Sequence, residues 1–461
     1  MLDRSPALGN VPFFRVALNN SEINEVIECL RSGWLTTGPR VQEFEMRFAD
    51  SIGAKHAVAL NSGTAALHLA VEALGLEPNQ GVLVPTMTFA ATAEVVRYQG
   101  AIPILVDCDP LTLNMDLEDA ERKLADVRAG RTPLDKNLKV VGMIPVHVGG
   151  LMMDVSAIER FAVKHDLWVV EDAAHAFPAS FRARADRAWR KCGQHTAHVT
   201  CYSFYANKTI TTGEGGMAVT DNLQLADRMK CMSLHGLSRD AWDRYSGNGS
   251  WDYAIIAPGY KYNMTDIAAG LGIRQLARAE AMRTERESTA DFYRQQLADI
   301  PQLELPIEPV DRIHAWHLFP IRLNLASLSI DRNEFLNVLR RQGVGWSVHW
   351  RPLHLHPYYQ EKFGWLPEQL PVASREWTRL ISLPLFPGMR DDEKKHVVQV
   401  VTDMCQEFAV EQRDEVASPR SMPAQPISAA MSRMPAVTGG QEELSKHRFE
   451  QFEYVGTDGQ K

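Results

Sequence analysis

The sequence predicts an α/β protein: a large domain built on a mostly parallel sheet, followed by a smaller α+β domain. Three observations lead there. Between residues 56 and 220, short β-branched runs alternate with helical runs of about ten residues. That is the pattern of a sheet covered on both faces. The composition shifts after about residue 270. The length of 461 residues is more than a single hydrophobic core usually fills.

Taken in order, residues 1–20 read as an extended arm containing Pro6 and Pro12. A helix follows Asn20 or Ser21, with Ile23, Val26, Ile27 and Leu30 on one face and Gly33 as its stop. The large domain, 21–272, then runs through His56–Leu60 (strand), the turn Asn61-Ser62-Gly63-Thr64, Ala65–Leu74 (helix), Val82–Pro85 (strand), Ala90–Tyr98 (helix) and Ile102–Asp107 (strand). Val140–Val146, Leu167–Glu171, His198–Phe204 and Gly216–Thr220 read as further strands, with a helix at Ser156–His165. A charged helix, Arg274–Leu297, opens the small domain, 273–410. There Leu318–Leu323 and Gly345–His349 read as strands, and Arg332–Gln342 and Asp391–Glu407 as helices. Residues 411–461 are rich in Ser, Pro, Gln, Glu and Gly without periodicity, which predicts a disordered tail.

The net charge of −8 argues against a general nucleic-acid binder. Six scattered cysteines with no C-x-x-C pair give no disulfide framework or zinc site. The N-terminus has no apolar signal core, and no stretch approaches a membrane span. These features predict a reducing, cytoplasmic setting.

Three segments carry chemistry. Asn61-Ser62-Gly63-Thr64-Ala65-Ala66 lies between a strand and a helix, where free N–H groups and the helix dipole favour a phosphate. Alone, it reads better as an ordinary capped turn. Val169-Val170-Glu171-Asp172-Ala173-Ala174-His175 places an acidic pair at the carboxyl end of a buried strand, where open α/β sheets keep their sites. A carboxylate there suits a protonated ring nitrogen, and equally a helix cap. Ser203–Gly216 (SFYANKTITTGEGG) carries Lys208 in a polar loop after a strand, running into a glycine cluster. An attacking lysine must be unprotonated and so needs a partly desolvated pocket. The flanking Ser, Asn and glycines set Lys208 apart from a surface charge.

In this order the segments resemble the DegT/DnrJ/EryC1/StrS sugar aminotransferases, with their S-G-T-A-A-L, E-D-A-A-H, S-F-x-x-N-K and G-E-G-G signatures. The likeness continues through Thr86–Thr92, His235-Gly236 and Gly259–Asp266, and covers roughly residues 12–408. The resemblance implies the fold type I of pyridoxal-phosphate enzymes, like aspartate aminotransferase. It implies Lys208 as the Schiff-base lysine and Asp172 as partner of the cofactor's ring nitrogen. Phe89 would stack on the ring and His175 would lie near its phenolic oxygen. Gly63, Thr64, Ala65 and Ser203 would hold the phosphate. Asn263 would reach the phosphate from the neighbouring subunit of a homodimer. The segment Ser347–Tyr359 resembles the family's substrate side, which implies sugar contacts for His349 and Tyr358. Its three histidines do not suggest a metal, since Pro352 and Pro357 preclude a regular helix and no carboxylate is suitably spaced.

The resemblance also implies the reaction: L-glutamate as amino donor, a nucleotide-linked keto-deoxysugar as acceptor, and amino sugars for a polysaccharide or glycan as the outcome. A dehydratase branch of the family replaces the lysine by histidine, and Lys208 speaks against it. The same motifs would also suit a cyclitol acceptor, or a cofactor-binding sensor without turnover. Two features depart from the family: a longer spacing from Asp172 to Lys208, with the extra residues placed within Phe181–Lys191 and read as surface, and the tail after 410.

Overall fold

The computed structural model describes residues 10–131, 138–183, 188–237 and 254–410. The expected tail at 411–461 lies outside them. The strands are β1 His56–Leu60, β2 Gly81–Pro85, β3 Ile102–Val106, β4 Val140–Met143, β5 Trp168–Asp172, β6 Ser180–Phe181, β7 Arg190–Lys191, β8 Val199–Ser203, β9 Gly216–Thr220, β10 Leu303–Glu304, β11 Arg312–Ile313, β12 Phe319–Leu323 and β13 Leu380–Leu383. Seven of them form one sheet in the order β1-β9-β8-β5-β4-β2-β3. The pairings from β3 to β8 are parallel, and β9 runs against both its neighbours. Five of these strands are unbroken or nearly unbroken apolar runs, because helices cover both faces.

The helices that matter here are α1 Asn20–Ser32, α2 Pro39–Ile52, α3 Gly63–Ala73, α4 Ala91–Tyr98, α5 Leu117–Arg128, α6 Val155–His165, α7 Leu223–Ser233, α8 Asp266–Leu276 and α9 Ala279–Leu297. Helix α3 is buried almost all round: Ala65 through Val71 are core. It therefore runs beneath the sheet centre and brings its N-terminus to the carboxyl ends of β5 and β8. A second sheet, β10-β12-β13, has its own core of Phe319, Ile321, Leu339, Val397 and Val401. The two sheets belong to one compact unit, Met1–Gln412. A division into two domains at 272/273 stays a proposal.

Four expectations are revised. Gly345–His349 is not a strand; Ser347 pairs with Ser382 by two backbone bonds, and the Gly345 N–H donates to the Val11 carbonyl. Beyond it the chain leaves the sheet, and His349 bonds the Ser382 hydroxyl with its side chain instead. The charged helix Arg274–Leu297 is two helices, α8 and α9, parted where Arg278 turns to bond Glu22 and the Ala17 carbonyl. The extra segment Phe181–Lys191, of which 184–187 lie outside the described residues, is not all surface: Phe181 is buried, β6 and β7 form an antiparallel pair, and β11 joins β6. The Arg312 guanidinium lies 4.4 Å from the Phe181 ring centre.

The fourth concerns α1. Its apolar residues Ile23, Ile27 and Leu30 are exposed, while Glu22, Glu25 and Cys29 are buried. The buried carboxylates are matched: Glu25 by Arg40 and Arg274, Glu22 by Arg278 and Gln275.

Candidate active site

A cavity of about 500 Å³ opens at the carboxyl ends of β5 and β8. Gly63, Thr64, Phe89, Asp172, His175, Ser203, Lys208 and His349 all line it. Residues more than a hundred positions apart in the chain thus converge on one space. Three expected residues do not line it. Ala65 is buried, and its N–H donates to Ser62 Oγ at 3.0 Å as part of the α3 cap. The Ala65 N–H is thus engaged by the cap, whereas Gly63 and Thr64, expected at the phosphate with it, have first-turn N–H groups with no acceptor within the helix. Tyr358 lies at the surface, where its hydroxyl accepts from Arg97 Nε at 3.3 Å. Asn263 donates to Thr37 Oγ1 at 2.7 Å and lies outside this chain's own cavity.

Gly63 is where a glycine is required. A Cβ there would come within 2.9 Å of Ser203 Cβ. Its absence lets the helix N-terminus and the Ser203 hydroxyl face one small region together. Serine, free amides and a helix dipole form a donor set suited to a phosphate dianion.

Asp172 ends β5, buried. It accepts from Thr92 Oγ1 at 2.8 Å and from the Ala174 N–H at 3.1 Å. Burial pushes its carboxyl up, against the pull of those two bonds. A protonated ring nitrogen would supply the missing positive partner. Behind it Glu171 accepts from Thr196 and Thr200 at 2.6 and 2.7 Å and faces His147 Nε2 at 3.4 Å. Burial alone would raise Glu171, but the His147, Thr196 and Thr200 contacts together hold it below its usual value. Among the described residues, His147, Glu171 and Cys192 are the one group close enough to hold a metal ion. However, His147 Nδ1 accepts from the Met153 N–H, which assigns the ring proton to Nε2 and leaves no lone pair for a metal.

Lys208 follows β8 in a loop closed where the Phe204 N–H donates to the Gly215 carbonyl and the Thr212 N–H to the Phe204 carbonyl. Burial first, and the nearby Arg286 as well, lower its amine to about 8, with Asp172 opposing. His175 accepts from the Gly149 N–H through Nδ1 at 3.3 Å, so its own proton is on Nε2. Burial, with Lys208 and His349 close by, keeps that imidazole neutral. Its ring is held between Trp350, stacked at 5.1 Å, and His317 at 4.2 Å. Phe89 lines the cavity and is 62% exposed.

Sequence reasoning missed Thr92 as the partner of Asp172, and it missed Gly149, Arg286 and His317. Only Thr92 carried a signal, since it closes the Thr86–Thr92 stretch of the family likeness. The others are brought in by tertiary contacts.

A phosphate cradle, a buried carboxylate, a lysine of lowered basicity and an open aromatic face define a site that fits pyridoxal phosphate. Comparison with known proteins agrees. The family model for the DegT/DnrJ/EryC1/StrS aminotransferase family matches residues 16–402. An uncharacterized protein of Methanocaldococcus jannaschii is 43% identical over 86% of this chain and 98% of its own. The spore coat polysaccharide biosynthesis protein SpsC of Bacillus subtilis is 42% identical over 86% of this chain and 97% of its own. Among solved structures, the putative sugar aminotransferase Spr1654 from Streptococcus pneumoniae superposes with a TM-score of 0.77 at 30% identity, covering 86% of this chain and 98% of that one. Related structures of it are described as its PLP-form and PMP-form.

The molecule is a fold type I, pyridoxal-phosphate-dependent aminotransferase. It belongs to the DegT/DnrJ/EryC1/StrS aminotransferase family.

Proposed function

We propose that this aminotransferase transfers the amino group of L-glutamate to a nucleotide-linked keto-deoxysugar, producing amino sugars for a polysaccharide or glycan. The observation that carries the reading is the single cavity uniting Lys208, Asp172 and the Ser62-Gly63-Thr64 turn. The sugar is supported by a 42% identical relative named for spore coat polysaccharide biosynthesis and a 30% identical structure named as a putative sugar aminotransferase.

Pyridoxal phosphate supplies, when bound, a carbonyl that condenses with amines and a ring that accepts electrons from the carbon being deprotonated. The protein does the rest. The N-terminus of α3 and Ser203 would anchor the phosphate, and Phe89 would cover one ring face. Asp172, fixed by Thr92, would keep the ring nitrogen protonated. His175, with its proton on Nε2, would donate to the phenolic oxygen. Lys208 would hold the cofactor through its amine, and that amine, when free, would take up and give back the donor's α-proton as general base and acid. The acceptor's keto carbon is aminated by the same steps reversed.

The active unit in this proposal is a homodimer in the cytoplasm. Two features support the dimer: the apolar stripe Leu18, Ile23, Ile27 and Leu30 is exposed, and Asn263 does not line the cavity of its own chain. No helix among the described residues is long and apolar enough to cross a membrane.

The test is the near-visible spectrum of protein loaded with pyridoxal phosphate, before and after L-glutamate, for wild type and Lys208→Ala. Wild type should show a lysine-linked band that glutamate bleaches, and the variant should show no such band. A wild-type band untouched by any amino donor would end the proposal.

A further inference from the structure

Of the three histidines in Ser347–Tyr359, His349 lines the cavity and His354 does not. His354 is wholly buried, and both its ring nitrogens are engaged. Nδ1 meets Thr86 Oγ1 at 2.7 Å, and Nε2 meets Ser374 Oγ at 2.8 Å. The valences assign the protons. Ser374 has one hydroxyl proton, and the carbonyls of Pro367 and Leu370 are its acceptors. Nε2 therefore carries a proton and donates to Ser374, and the bare Nδ1 accepts from Thr86. Thr86 Oγ1 in turn accepts the His354 N–H at 3.3 Å, and the Thr86 carbonyl accepts the Leu353 N–H at 2.9 Å. Burial first, with Lys123 and His356 adding to it, pushes the ring down to about 4, so it is uncharged under neutral conditions.

The partners of His354 lie on two sides of the cavity. Thr86 follows β2 and begins the turn that carries Thr88 and Phe89 into the cavity wall. The same turn supplies Thr92, which meets Thr88 Oγ1 at 2.7 Å and donates to Asp172. On the other side, Ser347, Val348, His349 and Trp350 line the cavity just before His354. Asp107, after β3, makes a second tie to this side: it accepts the Val372 and Ala373 N–H groups at 2.9 and 2.8 Å. Filling space does not require the histidine. Met87, Val148 and Ala373, with Trp350 and Val372 packed against them, already supply apolar contact at the joint. A neutral imidazole bonded at both ends fixes a distance and a rotation that apolar contacts leave adjustable.

We propose that His354 is a positioning residue for amino transfer. By holding Thr86 and Ser374 together, it sets the wall Ser347–Trp350 against the turn that presents Phe89 and Thr92. It touches neither cofactor nor substrate and acts through those residues. This rests on the proposed roles of Phe89 and Asp172 at the cofactor.

The test uses the full-length holoenzyme, at a temperature where melting curves show every variant folded. His354→Phe fills the space without the bonds, His354→Gln keeps a donor and an acceptor, and Thr86→Val removes one hydroxyl at nearly constant shape. The first readout is the near-visible circular dichroism of bound pyridoxal phosphate, which reports how the ring sits in its asymmetric site, with cofactor affinity from equilibrium dialysis. The second is the saturating rate of the L-glutamate half-reaction. His354→Phe should lose dichroism per bound cofactor and bind the cofactor about tenfold more weakly, the loss expected for one buried hydrogen bond. Its saturating rate should fall by about tenfold, as misplacement of the reacting groups requires. Thr86→Val should show part of the same loss, and His354→Gln should recover part of it. The double variant His354→Phe/Thr86→Val should match His354→Phe within about twofold, because both changes remove one shared tie.

A histidine that only stabilises the fold predicts a lower melting temperature with unchanged dichroism, affinity and rate. That outcome overturns the proposal, and so do fully additive losses in the double variant. If His354→Phe does not fold, Thr86→Val and His354→Gln carry the same comparison. A wild type that binds the cofactor but does not react with L-glutamate sinks the proposed donor instead; His354 is then decided by dichroism and affinity.

Discussion

The free amine of Lys208 should titrate about 8 in the apo-protein, against 10.5 for an unperturbed lysine. The chief cause is burial, with Arg286 adding to it and Asp172 opposing it. This has a consequence for stability. Between these two pH values the unfolded chain still holds the proton and the folded chain has released it. The unfolded state therefore binds more protons there, and stability rises with pH. Below about 8 the folded protein carries a buried ammonium, a penalty of about 3 kcal/mol for this gap. Competitive acetylation at a series of pH values, read peptide by peptide in a mass spectrometer, gives the Lys208 midpoint directly. Removing the Asp172 charge in Asp172→Asn should move it lower still, and Arg286→Met should move it higher. Denaturation of apo wild type against Lys208→Met should show the variant's advantage at neutral pH fading as pH climbs through the same range. A midpoint at or above about 10, or one that Asp172→Asn raises, would refute the account of how Lys208 is made reactive.

Three further outcomes follow from the site. Thr92→Val removes the hydroxyl that donates to Asp172 at 2.8 Å; pyridoxal phosphate should bind about tenfold more weakly. The acidic limb of the transamination pH profile should also move to higher pH, because that hydrogen bond holds the carboxyl down. Gly63→Ala places a methyl 2.9 Å from Ser203 Cβ, an overpacking of about 1–3 kcal/mol; cofactor affinity should fall in equilibrium dialysis while the Lys208 midpoint stays put. Lys208→Ala and Asn263→Ala, each impaired alone, should on mixing and re-association recover about a quarter of wild-type activity. Half the dimers are then mixed, and each has one intact site. No recovery, with mixed dimers shown to form, would count against a shared site.

What the sequence disclosed depends on how local each feature is. Lys208 and Asp172 were legible because Asp172 ends one buried strand and Lys208 lies in the loop after another, and strand ends are where such a sheet presents side chains. Glycines beside Lys208 and a helix start after Ser62 completed the pattern within a few residues. Arg286 was illegible for the opposite reason. It belongs to a helix with charges all along it, which reads as a solvated face, and it is buried by carbonyls of Trp316, His317 and Leu385. Nothing near it in sequence announces those acceptors.

Helix α1 shows the same limit in the fold. Periodicity marks Ile23, Ile27 and Leu30 as one face, but periodicity cannot say which face has partners. Here the carboxylates of Glu22 and Glu25 turn inward because Arg40, Arg274 and Arg278 are waiting for them. A buried acid left without such partners would be costly, so the arginines of α8 and its flank decide the orientation of a helix some 250 residues earlier. The apolar stripe that this turns outward is then a surface with reason to be covered. That is why the proposed dimer and the reversed face of α1 stand or fall together: a monomeric enzyme in solution would leave the stripe without explanation, and Asn263 without a phosphate to reach.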